Sequence, residues 1–466
     1  MNLFKKIITL FVVMGMLFAV CNTTSADTTG SITINPPEGI TGTNTYTIYK
    51  VFDAEGDGTN ISYKLVSGKS TAPTGFSVDE GGNVSYTGSG TSNQLTSDDI
   101  ASIADYIKND TPVATATSTG SAAAVASNLP NGYYYITTST GTLVTINSTN
   151  PNVTVNDKNT IPTIDKTITG ASDITDNGKK ALAQIGTDVE YTAVVTVGKG
   201  SKNLVFHDAM GTGLTFKGNS NVTVTSNPTI SGTSWFTIKT TPDSGDTLTI
   251  TFADGIAENT QITIKYLATI NAQALNKLEN DAYVSYGDNH STTHSKTETY
   301  NAEIGLVKYD GKNTDSTNDD TELSGAKFIL AKDVTESGSS TVTRKYYKID
   351  GTVVSWVNNE SDATIRTTDS DGVLEAKFIG LANGTYILIE KEAPKGFNKA
   401  SDTNIVIASG NYTLDNLSQT STVINNKGNV LPTTGGIGTT VFHVAGAALA
   451  IGAAVLLISK KRMNNN

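Results

Sequence analysis

Apolar and polar residues alternate with a period of two over much of this chain. Thr45-Tyr46-Thr47-Ile48-Tyr49, Leu248-Thr249-Ile250-Thr251-Phe252 and Gln261-Ile262-Thr263-Ile264-Lys265-Tyr266 each put every second side chain on one face. That is the pattern of half-buried strands rich in β-branched residues. It predicts a mainly β protein built from sandwich domains in series. One stretch switches to the helical period: Ile100, Ile103 and Ile107 fall on one face of a helix predicted over Asp98 to Lys108, with Ser97 as its N-cap.

Continuous apolar runs stand at both ends. Ile7 to Val20 follows Lys5 and Lys6 and precedes the small residues Thr24-Ser25-Ala26, so residues 1–26 read as a secretory signal. Ile437 to Ser459 is long enough to cross a bilayer as a helix. Lys460-Lys461-Arg462 behind it should stay cytoplasmic, because moving three cations through lipid is costly.

Composition sharpens this reading. The sole cysteine, Cys21, lies inside the export signal, and Val20 before it does not suit a lipoprotein signal. The exported chain therefore has no disulfide and needs core packing or another covalent device to hold its domains. With 33 basic and 44 acidic residues the formal charge is −11, which argues against a nucleic-acid partner. Three segments can be drawn at 27–159, 160–300 and 301–427, and residues 428–466 form a tail. The second and third open alike, at Thr163-Ile164-Asp165-Lys166-Thr167 and Ile304-Gly305-Leu306-Val307-Lys308.

The chemistry concentrates in strands that carry a charge among apolar neighbours. In Tyr386-Ile387-Leu388-Ile389-Glu390, Glu390 shares a face with Tyr386 and Leu388. Burial raises a carboxyl pKa and lowers a lysine pKa. A neutral lysine beside a protonated acid is the pairing needed for amine attack on a carboxamide.

The tail supplies the first resemblance. Leu431-Pro432-Thr433-Thr434-Gly435, the apolar span and the basic tail resemble the cell-wall sorting signal of Gram-positive surface proteins, Leu-Pro-x-Thr-Gly. Tyr386 to Phe397 resembles the E-box of CnaB-type pilin and adhesin domains, departing at Lys391 and Phe397. In that family a glutamate assists a Lys–Asn isopeptide bond between first and last strands. The resemblance implies Lys308 as amine, Glu390 as acid and Asn425 as acceptor, with Asn426 the next candidate; alternation lets only one of that pair face inward.

The second segment resembles the CnaA-like middle domain of backbone pilins. Carried over, Lys166 is the amine, Asp208 the acid and Asn280 the acceptor, with Asn280 placed at the start of the last strand. The first segment ends Val153-Thr154-Val155-Asn156-Asp157-Lys158-Asn159. It resembles the pilin motif Val-x-Val-Tyr-Pro-Lys-Asn, with Asn156-Asp157 where Tyr-Pro is expected. The resemblance implies that the Lys158 amine, presented to solvent at a domain end, joins the sorting-signal threonine Thr434 of another subunit. Lys179, Lys180, Lys199 and Lys202 are rival acceptors without a motif. Lys50 has no acid in Gly132 to Thr138 to serve it, so a bond there is not expected.

The whole is similar to a sortase-assembled major (backbone) pilin with three tandem Ig-like domains, CnaB-, CnaA- and CnaB-type. That resemblance implies a structural subunit on a Gram-positive cell wall. Its implied partners are pilin-class and housekeeping sortases, copies of itself, ancillary pilins, peptidoglycan and host matrix. The alternative is a monomeric wall-anchored adhesin or a basal or ancillary pilin. No cofactor or metal is expected. Asp53, Glu55, Asp57 and Gly58 begin a calcium-loop pattern that ends in Lys64, and the acidic loop Asp310 to Asp320 reads as solvated. His290 and His294 do not sit on a helix. There is no phosphate loop, nucleophile elbow or paired metal motif, so a turnover enzyme is not expected.

Overall fold

The alternating runs resolve into sheets that group along the chain in pairs. The computed structural model describes residues 29–463 apart from 57–59, 91–93, 142–144, 149–151, 240, 272–276, 312–320, 336–337, 339, 352, 409–416 and 429–436. The export signal, the pentapeptide Leu431 to Gly435, Asp57-Gly58 and most of the Asp310-to-Asp320 loop therefore lie outside the described residues.

Residues 29 to 156 form a three-stranded sheet, in the order Asn152–Asn156, Thr29–Asn35, Ala124–Pro130, and a seven-stranded sheet arranged around the long strand Thr43–Gly56. The first and last of these strands run parallel as neighbours, with Ile32 opposite Val153. The helix is Ser97–Ile107, and it buries Ile100, Ile103 and Ile107 against Val51, Phe52 and Tyr135. Its N-cap is Thr96, one residue before the expected Ser97. Thr96 Oγ1 accepts from the Asp99 N–H while Asp99 Oδ2 accepts from the Thr96 N–H. That reciprocal box needs an acid three residues after the cap, and Asp99 fixes the cap at 96.

Residues 163 to 300 build the deepest core. Val189, Tyr191, Ala193 and Val195 point inward from one strand and meet Phe206, Ile250, Ala282 and Val284 from the other sheet. The strand Lys277–Tyr286, which carries Asn280, is not the last: it lies between Val205–Met210 and Ser295–Tyr300 in the sheet. Ser295–Tyr300 alternates with Thr297 and Thr299 buried, so β-branched hydroxyl residues take core positions there. A polar-looking stretch thereby forms a closing strand.

Residues 302 to 425 form a three-stranded sheet, in the order Phe378–Leu381, Ala302–Asp310, Ser418–Asn425, and a six-stranded sheet around Lys327–Thr335 and Gly384–Glu392. Here too the terminal strands are parallel neighbours, with Lys308 opposite Val423 and Asp310 opposite Asn425. Gly384–Glu392 is covered on both faces, because Ile387 and Ile389 pack with Ile329 and Ala331 in a second small cluster. The helix Ile437–Met463 follows, and its segment Thr440–Met463 is long and apolar enough to span a membrane.

The core runs unbroken from the middle segment into the last. Ile185 is 2% exposed, and its N–H donates to the Gly380 carbonyl at 3.1 Å. Gly380 has φ +71°, and a Cβ there would lie 2.6 Å from Ile185 Cδ1. Trp356 Nε1 donates to Gln184 Oε1 at 2.6 Å across the same joint. Ile185→Ala leaves a cavity in this joint and should cost about 2–5 kcal/mol. Calorimetry of the mature protein should register a lower unfolding temperature, and an unchanged one would show that the joint carries no stability.

Candidate functional site

Three lysines define the chemistry. Lys166 and Ile168 share the inward face of Thr163–Gly170, which carries the lysine into the core of the middle segment. There its Nζ lies 2.6 Å from Asp208 Oδ2, and both residues have zero exposure. Asp208 is held inward with Phe206. Asn280 stands opposite Met210, one diagonal step from Asp208 on the same face. The Tyr266 hydroxyl donates to Asp208 Oδ2, and the Lys166 ammonium sits 5.2 Å from the Tyr191 ring centroid. Asn280 is fully buried with its carboxamide beside Asp208 and the Tyr266 hydroxyl. Burial pushes the Asp208 carboxyl up against the pull of Lys166 and pushes the Lys166 ammonium down to about 8. Both shifts favour the neutral pair.

The last segment repeats the arrangement with different strands. Lys308 has zero exposure, and Glu390 and Asn425 are each 1% exposed. Lys308 Nζ donates to the Val423 carbonyl at 3.0 Å. Asn425 Nδ2 donates to Glu390 Oε2 at 2.9 Å and to the Asn398 carbonyl at 2.6 Å. Glu390 Oε2 also accepts from the Ala400 N–H at 2.5 Å, while Glu390 Oε1 and Asn425 Oδ1 have no partner. Burial lowers the Lys308 pKa to about 8, against a smaller opposing pull from Glu390. Asn426 is exposed, as alternation requires when Asn425 faces in.

Lys158 lies just past the strand Asn152–Asn156, where the first segment meets the middle one. The expectation was a lysine presented to solvent. It is instead half-buried, and burial together with the nearby Lys199 ammonium holds its pKa below the usual lysine value. Among the described residues no carboxylate pairs with its amine. Three rivals are engaged: Lys179 with Asp165 at 2.6 Å, Lys180 with Asp176 at 3.7 Å and Lys202 with Asp288 at 2.9 Å. The Lys50 amine pairs with Asp53, and Glu55 of the calcium-like pattern pairs with Lys64 at 2.8 Å.

One further constellation was not anticipated. His207 Nε2 lies 2.9 Å from Ser285 Oγ, and its Nδ1 lies 2.7 Å from Asp246 Oδ2. That is the bonding order of a serine–histidine–acid triad, but Ser285, next to last in Lys277–Tyr286, has strand partners in register on both sides. Its neighbouring N–H groups belong to the ladder and cannot hold an oxyanion. Asp243 completes a cluster with His207 and Asp246, yet both its oxygens lie 2.8 Å from the Lys239 ammonium. His290 is buried and its Nε2 lies 3.0 Å from Ser139 Oγ, while His294 stacks on Tyr283, so the two serve different surfaces.

Sequence reasoning did not find Tyr266, Tyr191 or the Asn398 carbonyl. The alternation in Gln261 to Tyr266 marks Tyr266 as an inward residue, but which carboxylate its hydroxyl meets depends on a strand 58 positions away.

Comparisons with known proteins bear on the fold and on the anchor motif. Residues 424–465 match the LPXTG cell wall anchor motif, and residues 302–420 match the SpaA prealbumin-like fold domain. No curated protein matches the chain in sequence. Among solved structures, the T6 backbone pilin of serotype M6 Streptococcus pyogenes is similar at 19% identity and a TM-score of 0.53, over 83% of this chain and 81% of that one. The major pilin SpaD of Corynebacterium diphtheriae aligns at 18% identity and a TM-score of 0.47, over 87% of this chain and 99% of that one. RrgB of Streptococcus pneumoniae aligns at 13% and 0.46, over 88% and 100%. This chain thus carries the LPXTG cell wall anchor motif of Gram-positive surface proteins and a SpaA-type prealbumin-like domain, on a β-domain fold similar to that of the T6 backbone pilin, and is a cell-wall-anchored surface protein.

Proposed function

We propose that the chain is a backbone subunit of a covalent surface pilus, polymerised head to tail by a pilin-class sortase. The sortase cysteine attacks the Thr434 carbonyl, the Thr434–Gly435 amide breaks and Gly435 leaves as a protonated amine. The neutral Lys158 amine of another subunit then attacks the thioester. An amide forms, the thiol is released and the attacking nitrogen gives up a proton. A housekeeping sortase joins the last subunit to peptidoglycan by the same chemistry. The observation that carries this reading is Lys158: a half-buried amine without a carboxylate partner, in a chain with an anchor motif at its other end.

The two buried centres support internal Lys166–Asn280 and Lys308–Asn425 isopeptide bonds. In each, the neutral amine attacks the asparagine Cγ and ammonia leaves, so no oxidant or cofactor is needed. Asp208 and Glu390 assist by passing a proton from the attacking amine to the departing nitrogen. The hydrogen bond from Asn425 Nδ2 to Glu390 places that nitrogen against the acid. This is one turnover per molecule, so the protein is a sortase substrate and not an enzyme.

The second reading is a wall-anchored adhesin or ancillary pilin. It is favoured by an open cleft of about 780 Å³ between the middle and last segments, lined by Asp188, Glu190, Lys332, Asp333 and Tyr386.

Intact mass spectrometry of the mature protein should find two ammonia fewer than the sequence mass. Asp208→Ala and Glu390→Ala should each restore one, and an unmodified mass in the wild type would sink the internal bonds. Lys158→Ala should abolish high-mass ladders while monomer remains displayed on the wall. Ladders that persist would move the acceptor elsewhere, and wild-type cells with monomer alone would favour the adhesin.

The amine's titration gives a third test. In Asn425→Ala, Lys308 stays an amine whose folded pKa of about 8 lies below its ordinary 10.5. Between those values the unfolded chain binds more protons, so stability should rise with pH across that window and stay low beneath it. Urea midpoints measured from pH 7 to 10.5 check this, and a flat profile would mean Lys308 is charged in the fold.

A further inference from the structure

The residue before Lys158 is bound far more tightly than a linker residue needs to be. Asp157 Oδ1 accepts from the Asn159 N–H at 3.0 Å and from Asn159 Nδ2 at 2.7 Å. Asp157 Oδ2 accepts from Thr138 Oγ1 at 2.8 Å and Thr140 Oγ1 at 2.7 Å, and the Asp157 N–H donates to the Asn35 carbonyl at 2.8 Å. The bond from Asn159 N–H to Asp157 Oδ1 spans two residues, so it closes an Asx turn with Lys158 at its centre. The far side of the turn is fixed by the middle segment. Thr160 N–H donates to the Lys199 carbonyl at 3.1 Å, and the Lys199 N–H donates to Thr160 Oγ1 at 2.6 Å. Gly141 closes the gap: a Cβ there would lie 2.2 Å from Asn159 Oδ1 and 2.5 Å from the Gly200 carbonyl oxygen.

We propose that Asp157 is the positioning residue of the acceptor lysine, its carboxylate locking the turn that carries Lys158 at the junction. The proposal rests on Lys158 as acceptor. The carboxylate is engaged by Thr138, Thr140 and Asn159, with the Tyr46 hydroxyl beside it, so it orients Lys158 through the backbone and does not pair with the amine. The groups around the junction are consistent with that division. Lys199 is the charged neighbour of the amine, Lys202 is paired with Asp288, and His290 is turned onto Ser139. An amine with no carboxylate beside it is easier to deprotonate, and a fixed backbone limits the directions from which it reaches a thioester.

The test uses the mature chain carrying Thr434→Ala, so that it accepts but does not donate. A pilin-class sortase and a labelled Leu-Pro-Thr-Thr-Gly peptide supply the thioester, and the readout is the ratio of amide product to hydrolysed peptide. Asp157→Ala should lower that ratio about tenfold through loss of orientation. Asp157→Asn, which keeps the Oδ1 acceptor and forms the same turn, should stay close to wild type. Acetylation of Lys158 by a small active ester, mapped by mass spectrometry, should not change in either variant, because intrinsic amine reactivity does not depend on the turn. A wild-type ratio in Asp157→Ala, or an equal loss in both variants, overturns the positioning role. Lys158→Ala that still accepts peptide overturns the acceptor reading itself and is distinguishable from either result. If Asp157→Ala does not fold, the Asp157→Asn ratio still decides, since a loss there contradicts the turn.

Discussion

A lysine amine taken out of water is the constraint on which this molecule turns. Lys166 and Lys308 each have zero exposure, and desolvation brings both down to about 8. A buried ammonium is tolerated only with a partner: Asp208 lies 2.6 Å from Lys166 and burial pushes its carboxyl up, while Glu390 is the acid near Lys308. In the middle segment the two shifts together favour the neutral pair. That leaves a nucleophile and an acid side by side next to a carboxamide, which is the starting arrangement for amide exchange. The surrounding sandwich can thus be described as the apparatus that keeps water from Lys166 and Lys308. Tyr191, Tyr266 and Phe206 do so in the middle segment, and Phe328, Tyr386 and Leu388 lie in the core of the last.

Lys158 obeys the same rule in weaker form. It is only half-buried, so its pKa moves down without a large penalty, and a second cation, Lys199, adds to the shift. On the proposed reading the difference in burial matches a difference in partner: an internal acceptor would be delivered by folding and could be enclosed, whereas a thioester arriving on another protein would have to find the amine still accessible.

How much of this was legible beforehand depended on the range of the interaction involved. Period-two alternation exposed the strands, and the helix face came directly from Ile100, Ile103 and Ile107, because those signals are local. The cap slipped by one because Thr96 and Ser97 are both good caps, and only the Asp99 reciprocity separates them. The closing strand Ser295–Tyr300 was missed because threonine counts as polar in a pattern yet Thr297 and Thr299 bury well. Lys158 was expected in solvent because its charged neighbour Lys199, bonded to Thr160 two residues past it, lies some 40 residues onward in the chain. Hydroxyl and carbonyl partners such as Tyr266 and the Asn398 oxygen depend on register between distant strands, which no local pattern encodes.

Register also sets how the two segments would bear load. In the last segment the terminal strands are parallel neighbours, and Lys308 and Asn425 lie near their C-terminal ends. With the proposed bond in place, tension entering at Ala302 passes through Lys308 to Asn425, and the roughly 115 residues between are bypassed. Closing a loop of that length also constrains the unfolded chain, on the order of 4–5 kcal/mol by analogy with a disulfide. The middle segment is not equivalent. Asn280 stands at the fourth position of a strand that is followed by Ser295–Tyr300, so residues 281–300 lie outside any Lys166–Asn280 loop. Under tension that stretch is held by its ladder against Lys277–Tyr286 and by the Ile185 and Gln184 contacts across the joint, not by a covalent bond. The non-covalent part of the load path is then the joint between the middle and last segments. This gives a mechanical reason for a hydrophobic core that continues across it without a break.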